Sequence, residues 1–330
     1  MKYVRLGATN LEVSEFCLGT MMFGDKTAKD EAIRIIHAAI DGGVNFVDTA
    51  DVYAEGRSEE ITGAALTEHR NQVVLASKVG MKAGSRPTDA GLSRYHIIRG
   101  VEASLRRLKT DRLDILYIHW PIERLNLEEM TRAVDDLIRQ GKVLYPGCSN
   151  FPAWLMTRTL WVQQLHGFDP VVVGQYPYNP IERGVEVEVL PAAKALGVGV
   201  VVYRPLAIGL LSGKYLAGMP SDARGEKDAR VARWSESYGD AVRRVASFAK
   251  ERGRTPADAA NRWVCAHPSV TAAIVGISRL EQLEQNLAGF DWDLTTEERA
   301  ELSGYFPTEV KEEAGGNFAN WRRSYSIVEG

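Results

Sequence analysis

Two carboxylates and a phenol follow a short apolar run near residue 50. The segment "NFVDTADVY", residues 45–53, reads as a buried strand that then presents Asp48, Asp51 and Tyr53. A carboxylate at the end of a buried strand is costly unless another group pairs with it. A phenol is able to act as a general acid when a nearby cation lowers its pKa from about 10 toward the working pH. The segment therefore predicts a proton-transfer site that still needs a cation.

A lysine and a histidine at the ends of two later apolar runs are candidates for the remaining groups. Lys78 ends "QVVLASK", and His119 follows "LDILYI". A buried Lys78 beside Asp48 stays charged because the ion pair offsets the loss of solvation. The ammonium would favour the phenolate of Tyr53, and His119 would orient a substrate oxygen. Each residue alone also fits a turn cap, a packing role or a surface position, but their recurrence at strand ends favours a site.

The elements that would position these residues alternate between short apolar strands and amphipathic helices. Counting "FCLGT" as the first strand gives eight strand–helix units, after a hairpin around Gly7–Asn10 and before an extra helix that starts at Thr295. This alternation predicts a parallel sheet covered by helices, closed as a (β/α)₈ TIM barrel in one domain, residues 1–330. An open doubly wound sheet is the alternative, but "GTMMFG" does not match the G-x-G-x-x-G spacing of a dinucleotide-binding turn.

Polar or aromatic groups end most of the predicted strands, on the side of a barrel where active sites form. One such residue means little because every strand must end somewhere, whereas a series of them predicts a single mouth lined with functional groups. In chain order they are Asp48, Lys78, His119, Ser149–Asn150, Gln175, Tyr203–Arg204 and Gly276–Ser278.

Two further patterns lie on or near the helices. Residues 213–237 read as a long charged insert after the seventh strand, followed by predicted helices at roughly 238–252 and 256–266. Trp154, Trp161 and Trp263 lie at helical spacing, which is typical of core residues.

Composition indicates which partners and which cellular compartment to expect. The net charge of −3 does not suggest a nucleic-acid partner. Three cysteines, Cys17, Cys148 and Cys265, argue for a reducing compartment and against a disulfide scaffold, and no zinc-type spacing occurs. No signal peptide and no apolar run of about 18 residues is found. We therefore expect a cytoplasmic protein without metal or membrane partner, while its oligomeric state is not readable.

Seven segments together resemble the aldo-keto reductase superfamily. In family order they are "DTADVY", "ASKVG", "DILYIHW", "GCSN", "GQYPYN", "YRPLAIGLLSGKY" and "IVGISRLEQLEQNL". The resemblance extends from Gly19 to Asn286. Its branch is similar to potassium-channel β-subunits and to bacterial aldehyde and sugar-aldehyde reductases.

The resemblance implies an NADP(H)-dependent reductase of a small carbonyl substrate on a (β/α)₈ barrel. It identifies Asp48, Tyr53, Lys78 and His119 as the catalytic tetrad, with Tyr53 as proton donor. It places Ser149, Asn150 and Gln175 at the nicotinamide carboxamide and Tyr203 against the ring. The other residues that it implies for the cofactor are Gly19, Thr20, Met21, Asp48, Arg204, Pro205, Leu206, Gly209, Leu211, Lys214, Gly276, Ser278, Gln282, Gln285 and Asn286. The start of the last barrel helix, next to Arg279, would receive the 2′-phosphate.

The substrate pocket is predicted less sharply. Met22, Phe23 and Trp120 are expected to wall it together with Tyr53 and His119. Loop packing is an equally good interpretation of Met22 and Phe23. An apolar mouth of this kind accepts many aldehydes and does not identify one.

Three residues depart from the family pattern. Glu55 stands where a small residue such as glycine is expected, Arg204 where many members have serine, and Gln285 where glutamate is frequent. We expect NADPH to be preferred over NADH, and the last two departures concern the cofactor contacts on which that preference depends.

Two other functions are compatible with parts of the sequence. A cofactor-bound regulatory or sensor subunit with little turnover would fit the likeness to channel β-subunits, although that branch tends to lack the histidine found at His119. An aldolase-type barrel would use Lys78 in a Schiff base, but Asp48 should keep that lysine protonated and poorly nucleophilic.

Overall fold

The structure is a computed structural model that describes residues 1–216 and 228–307. It opens with an antiparallel hairpin of β1 (Tyr3–Arg5) and β2 (Glu12–Ser14). The barrel strands are β3 (Phe16–Gly19), β4 (Phe46–Asp48), β5 (Val74–Val79), β6 (Leu113–Ile118), β7 (Val143–Ser149), β8 (Val173–Pro177), β9 (Gly199–Tyr203) and β10 (Ala272–Gly276). The helices are α1 (Lys29–Asp41), α2 (Arg57–Ala65), α3 (Arg94–Leu108), α4 (Leu127–Arg139), α5 (Ala153–His166), α6 (Val189–Leu196), α7 (Ala229–Glu251), α8 (Pro256–Cys265), α9 (Leu280–Gly289) and α10 (Thr296–Gly304).

The eight strands from β3 to β10 form one closed parallel barrel. Each strand pairs with its neighbours in chain order, and β10 closes the ring against β3. The predicted (β/α)₈ barrel and the predicted hairpin are therefore confirmed. The register brings the strand ends level, because Gly19 pairs with Asp48 on one side and with Gly276 on the other. Residues at successive strand ends consequently face one mouth.

The core has two layers that follow from the strand pattern. Side chains that point outward pack under the helices, and α1 buries its predicted stripe, which includes Ile35 and Ile36. Side chains that point inward fill the barrel, among them Phe46 and Tyr117. Leu6 and Val13 of the hairpin join this inner cluster. The hairpin therefore covers the N-terminal end of the barrel and leaves the other end for the site.

One helix was not predicted because its buried face is polar. Helix α2 buries Ser58, Glu59 and Thr62 as well as Ile61, so the apolar periodicity that indicates an amphipathic helix is weak. Helix α7 begins at Ala229, nine residues before the predicted start, so the end of the predicted charged insert is helical. The part of that insert at 217–227 lies outside the described residues.

The prediction of three core tryptophans is wrong for two of them. Trp263 on α8 is fully buried, whereas Trp154 and Trp161 on α5 are exposed. Helical spacing identifies residues that share a face, but it does not say which way that face points. Within residues 1–216 and 228–307, no helix combines the length and the apolar character needed to cross a membrane.

Gly7 gives a test of how tightly the hairpin meets the barrel. Its φ is +58°, and an added Cβ would lie 2.5 Å from the Gly199 nitrogen, so Gly7→Ala meets rigid backbone. Gly253 has a φ of +65° and nothing within 4 Å of an added Cβ. We expect Gly253→Ala to lower the free energy of unfolding by about 1 to 2 kcal/mol and Gly7→Ala by about 3 kcal/mol or more. Urea unfolding compares them, and equal losses would contradict the proposed close contact.

Candidate active site

The Lys78 ammonium lies at the centre of a buried polar group. Its Nζ atom donates to Asp48 Oδ1 at 2.5 Å, to the Thr49 carbonyl oxygen at 2.7 Å and to Tyr53 Oη at 3.1 Å. Asp48 ends β4, and Lys78 lies in the neighbouring strand β5, so strand pairing sets the distance between them. The three donors of the ammonium are all used, which fixes its orientation.

Burial and charge determine the protonation of these groups. Burial lowers the pKa of Lys78, but the Asp48 carboxylate and Tyr53 together outweigh it, and the pKa lies above its usual value. Burial and the nearby Lys78 charge hold the pKa of His119 well below its usual range. At neutral pH the site therefore contains an ammonium ion and a neutral imidazole.

Tyr53 and His119 stand together where the buried pair meets the open mouth. Their rings lie 6.1 Å apart at 79° to each other. Asp48 and Lys78 are almost completely buried, whereas Tyr53 is partly exposed. His119 is also buried, so a substrate at the mouth would meet the phenol first, with the imidazole beside it.

The residues at the ends of β7, β8 and β9 extend the network. Gln175 Nε2 donates to the second carboxylate oxygen of Asp48 at 2.8 Å. Ser149 donates to the Gln175 carbonyl oxygen, and Asn150 Nδ2 donates to Ser149 Oγ at 2.9 Å. The Tyr203 hydroxyl donates to Asn150 Oδ1 at 2.7 Å. A continuous chain of hydrogen bonds thus joins Tyr203 to the buried pair.

Other predicted cofactor residues lie around the rim of the barrel. At the barrel rim, Thr20 is buried and bonds to Ser58, while Met21 is exposed. The segment from Arg204 to Lys214 follows β9 as a tight turn, in which Gly209 has a φ of +90° and lies against Lys214. An added Cβ at Gly276 would meet nothing within 4 Å, so the rim is open there.

The start of α9 already has an anionic partner in this structure. The Leu280 N–H donates to Glu31 Oε1 of α1 at 2.9 Å, and this bond together with Arg34 lowers the pKa of Glu31. Arg279 beside it is exposed. Behind this turn, Gln282 accepts from Ser278, and Asn286 bonds to both Gln282 and Asn261. Gln285 is exposed.

The residues predicted to line the substrate pocket differ in their burial. Met22 and Trp120 are half-buried near the mouth. Phe23 is fully buried and packs in the core beneath the helices, so its side chain does not line an open pocket. The packing interpretation of Phe23 is the one that the structure supports.

Two departures from the family pattern have a structural setting. Glu55 has a φ of +59° between Ala54 at +49° and Gly56 at +90°. Three consecutive left-handed residues explain why a glycine was expected there. Arg204, at a φ of +59°, lies over the Tyr203 ring and 3.6 Å from Glu182.

A buried glutamate, Glu59, was not identified from the sequence. Glu59 accepts from Ser77 at 2.6 Å and from Arg107 Nε at 2.7 Å. Asp51 is also buried, and neither carboxylate oxygen has a hydrogen-bond partner among the described residues. Burial, with Glu59 adding to it, raises the pKa of Asp51 to about 8. A buried glutamate in a polar helix face carries no apolar signal, so periodicity could not reveal it.

Comparison with known proteins agrees with this geometry. The model of the aldo/keto reductase family matches residues 15–305. The chain belongs to this family of oxidoreductases, whose members generally use NAD(P)H.

Individual relatives cover nearly the whole chain. "Uncharacterized oxidoreductase YrpG" of Bacillus subtilis (strain 168) is 38% identical over 319 residues, 93% of this chain and 96% of that protein. "Probable voltage-gated potassium channel subunit beta" of Arabidopsis thaliana is 37% identical, over 88% of this chain and 92% of that protein. "Aldo-keto reductase YhdN" of Bacillus subtilis (strain 168) is 31% identical, over 96% of this chain and 97% of that protein.

The raised pKa of Asp51 predicts a pH-dependent stability. The folded state holds the Asp51 proton more tightly than the unfolded chain does. The stabilisation that protonated Asp51 gives the folded state is therefore complete below pH about 4 and is lost as the pH rises toward about 8. Asp51→Asn should therefore gain at least about 1 kcal/mol relative to the parent protein between pH 5 and pH 8. Urea unfolding at both values measures it, with exposed Asp25→Asn as control. Parallel pH curves for the Asp51→Asn variant and the parent would rule the effect out.

Proposed function

We propose that the protein is an NADP(H)-dependent reductase that converts aldehydes and ketones to alcohols. The observation that carries the proposal is the position of Lys78 Nζ, 2.5 Å from Asp48 Oδ1 and 3.1 Å from Tyr53 Oη, at a mouth that Tyr53 shares with His119. A protonated lysine held against a phenol favours the phenolate and so makes the phenol a better acid. Membership of the aldo/keto reductase family supports the same chemistry.

The roles of the side chains follow from charge and exposure. The bound nicotinamide cofactor supplies the hydride. Tyr53 Oη gives its proton to the substrate oxygen, and Lys78 stabilises the phenolate that is left. Neutral His119 donates a hydrogen bond to the same oxygen and orients the carbonyl carbon. Asp48 keeps Lys78 charged and in place.

The residues along the rim fit a dinucleotide. Ser149, Asn150 and Gln175 present hydroxyl and amide groups that suit a carboxamide, and Tyr203 presents an aromatic face beside them. The open space at Gly276 leaves room for a ligand close to the backbone. The exposed Arg279 and the start of α9 suit a phosphate. These features support NADP(H) as the cofactor.

The same contacts argue against an aldolase-type reaction. A Schiff base requires a free lone pair on the lysine nitrogen. Lys78 is buried, its pKa is raised, and its ammonium donates to three oxygens. Lys78 therefore stays protonated and lacks the free lone pair that a Schiff base requires.

A regulatory subunit is the second candidate, because relatives named as potassium-channel β-subunits match most of the chain. Such a subunit would oxidise NADPH very slowly with every member of a broad carbonyl panel and would retain a stable partner in a pulldown. The reductase proposal expects ready turnover of at least one reactive aldehyde.

Tyr53→Phe tests the proton donor. Loss of the hydroxyl should lower turnover of 4-nitrobenzaldehyde by at least about 100-fold, because general acid catalysis is removed. NADPH binding, followed by nucleotide fluorescence, should be retained. Tyr95→Phe, at an exposed position on α3, is the matched control. Undiminished turnover in Tyr53→Phe would remove this residue from its proposed role.

Glu31→Gln tests the proposed phosphate site. The Glu31 carboxylate must release the Leu280 N–H before a 2′-phosphate can take its place, and it repels that phosphate. The substitution should tighten NADPH binding several-fold and leave NADH binding unchanged, as measured by fluorescence titration. Asp30→Asn, in the same turn of α1, is the control. An equal effect on both nucleotides would place the 2′-phosphate elsewhere.

A further inference from the structure

Helix α5 exposes an apolar stripe on the flank of the barrel. The exposed fractions of Trp154, Trp161 and Leu165 are 49%, 63% and 67%. The helical period places these residues within about 40° of one another around the helix axis, along about 16 Å of its length. Tryptophan side chains supply large apolar areas that soluble proteins normally cover. The stripe is therefore a surface whose composition requires an explanation.

The stripe is one wall of a cleft between α5 and α6. The cleft has a volume of about 530 Å³, and Trp154 and Trp161 line it together with Ala192 of α6. Val187 and Leu196, at the two ends of α6, are exposed as well. Contiguous exposed apolar surface of this kind marks interaction sites, and tryptophan is enriched among residues that dominate binding energy. We define these residues as the α5–α6 face.

The α5–α6 face also carries one charge of each sign. Arg158 lies on the tryptophan stripe, and Glu188 lies on the opposite wall of the cleft. Both are exposed, and neither makes an ion pair with any residue in the described part of the chain. In a two-fold contact, each residue of one copy meets the complementary residue of the other. A face with one unpaired cation and one unpaired anion is suited to pairing with itself.

We propose that the α5–α6 face binds a second copy of this chain in an isologous dimer. Arg158 of each copy lies opposite Glu188 of the other, so the tryptophan stripe of each α5 packs across the contact against α6 of the other copy. A stable contact of standard size buries about 800 Å² on each partner, which the two helices and their polar rim are long enough to provide. A partner protein of different sequence would not require both charges on the same face.

The mass of the purified protein in solution tests the contact. Sedimentation velocity over about 1 to 100 μM should give a dimer of twice the chain mass of 36.5 kDa. Trp161→Lys should raise the dimer dissociation constant at least about 30-fold. Tyr95→Lys, at an exposed aromatic position on α3, should leave it unchanged. Because Trp161 is mostly exposed, the lysine variant should fold, and circular dichroism checks that it does.

Charge reversal then tests whether the occupant is a second copy. Arg158→Glu and Glu188→Arg should each weaken the dimer at least about 10-fold, since each places like charges together. The double variant restores both ion pairs and should dimerise nearly as well as the parent. Arg106→Glu, at an exposed arginine on α3, is the control.

Three results would overturn the proposal. The first is a monomer at every concentration, and the second is a dimer that is insensitive to Trp161→Lys. The third is a double variant that is weaker than either single variant.

Discussion

The ion pair between Lys78 and Asp48 is the interaction on which the rest of the site depends. An ammonium ion in a dry barrel interior is stable only because a carboxylate, a carbonyl oxygen and a phenol share its three hydrogen bonds. Parallel pairing of β4 and β5 brings the two charges together, and Thr49 and Tyr53, in the segment after β4, complete the contacts of the ammonium. The charge then acts outward, on Tyr53 and on His119, whose pKa it helps to depress. The Lys78–Asp48 ion pair therefore determines both the geometry and the electrostatics of the site.

A second constraint keeps the ion pair from moving. Gln175 occupies the remaining carboxylate oxygen of Asp48, and hydrogen bonds continue from its strand end through Ser149 and Asn150 to Tyr203. Four strand ends are therefore joined by polar contacts in addition to the backbone ladder. A ligand that exchanges hydrogen bonds with Asn150 would alter the contacts that position Asp48 and Lys78, because the residues between them are linked by hydrogen bonds.

The architecture was readable from the sequence because two signals agreed. Short apolar strands alternate with amphipathic helices, and polar groups recur at the strand ends, so both the barrel and the end that carries the candidate site could be predicted. The same reasoning predicted that Asp48, Lys78, Tyr53 and His119 lie together, as they do in the structure, since a buried lysine needs a carboxylate or another acceptor beside it. Hydrophobic periodicity did not identify α2, because the buried face of that helix is largely polar and includes Glu59. It also could not show whether the tryptophan stripe of α5 faces the core or the solvent. Phe23 shows the related limit that an aromatic residue beside a mouth can still pack inward.

The turn that carries Tyr53 rests on a residue from a distant helix. Ala54, Glu55 and Gly56 are all left-handed, and a Cβ at Gly56 would lie 2.9 Å from Arg107 Cδ. Arg107 is itself held by Glu59, which accepts a hydrogen bond from Ser77, the neighbour of Lys78 in the chain. Substitutions at this contact are consequently restricted, because a change on the face of α3 that carries Arg107 must keep the turn with Tyr53 in its present conformation.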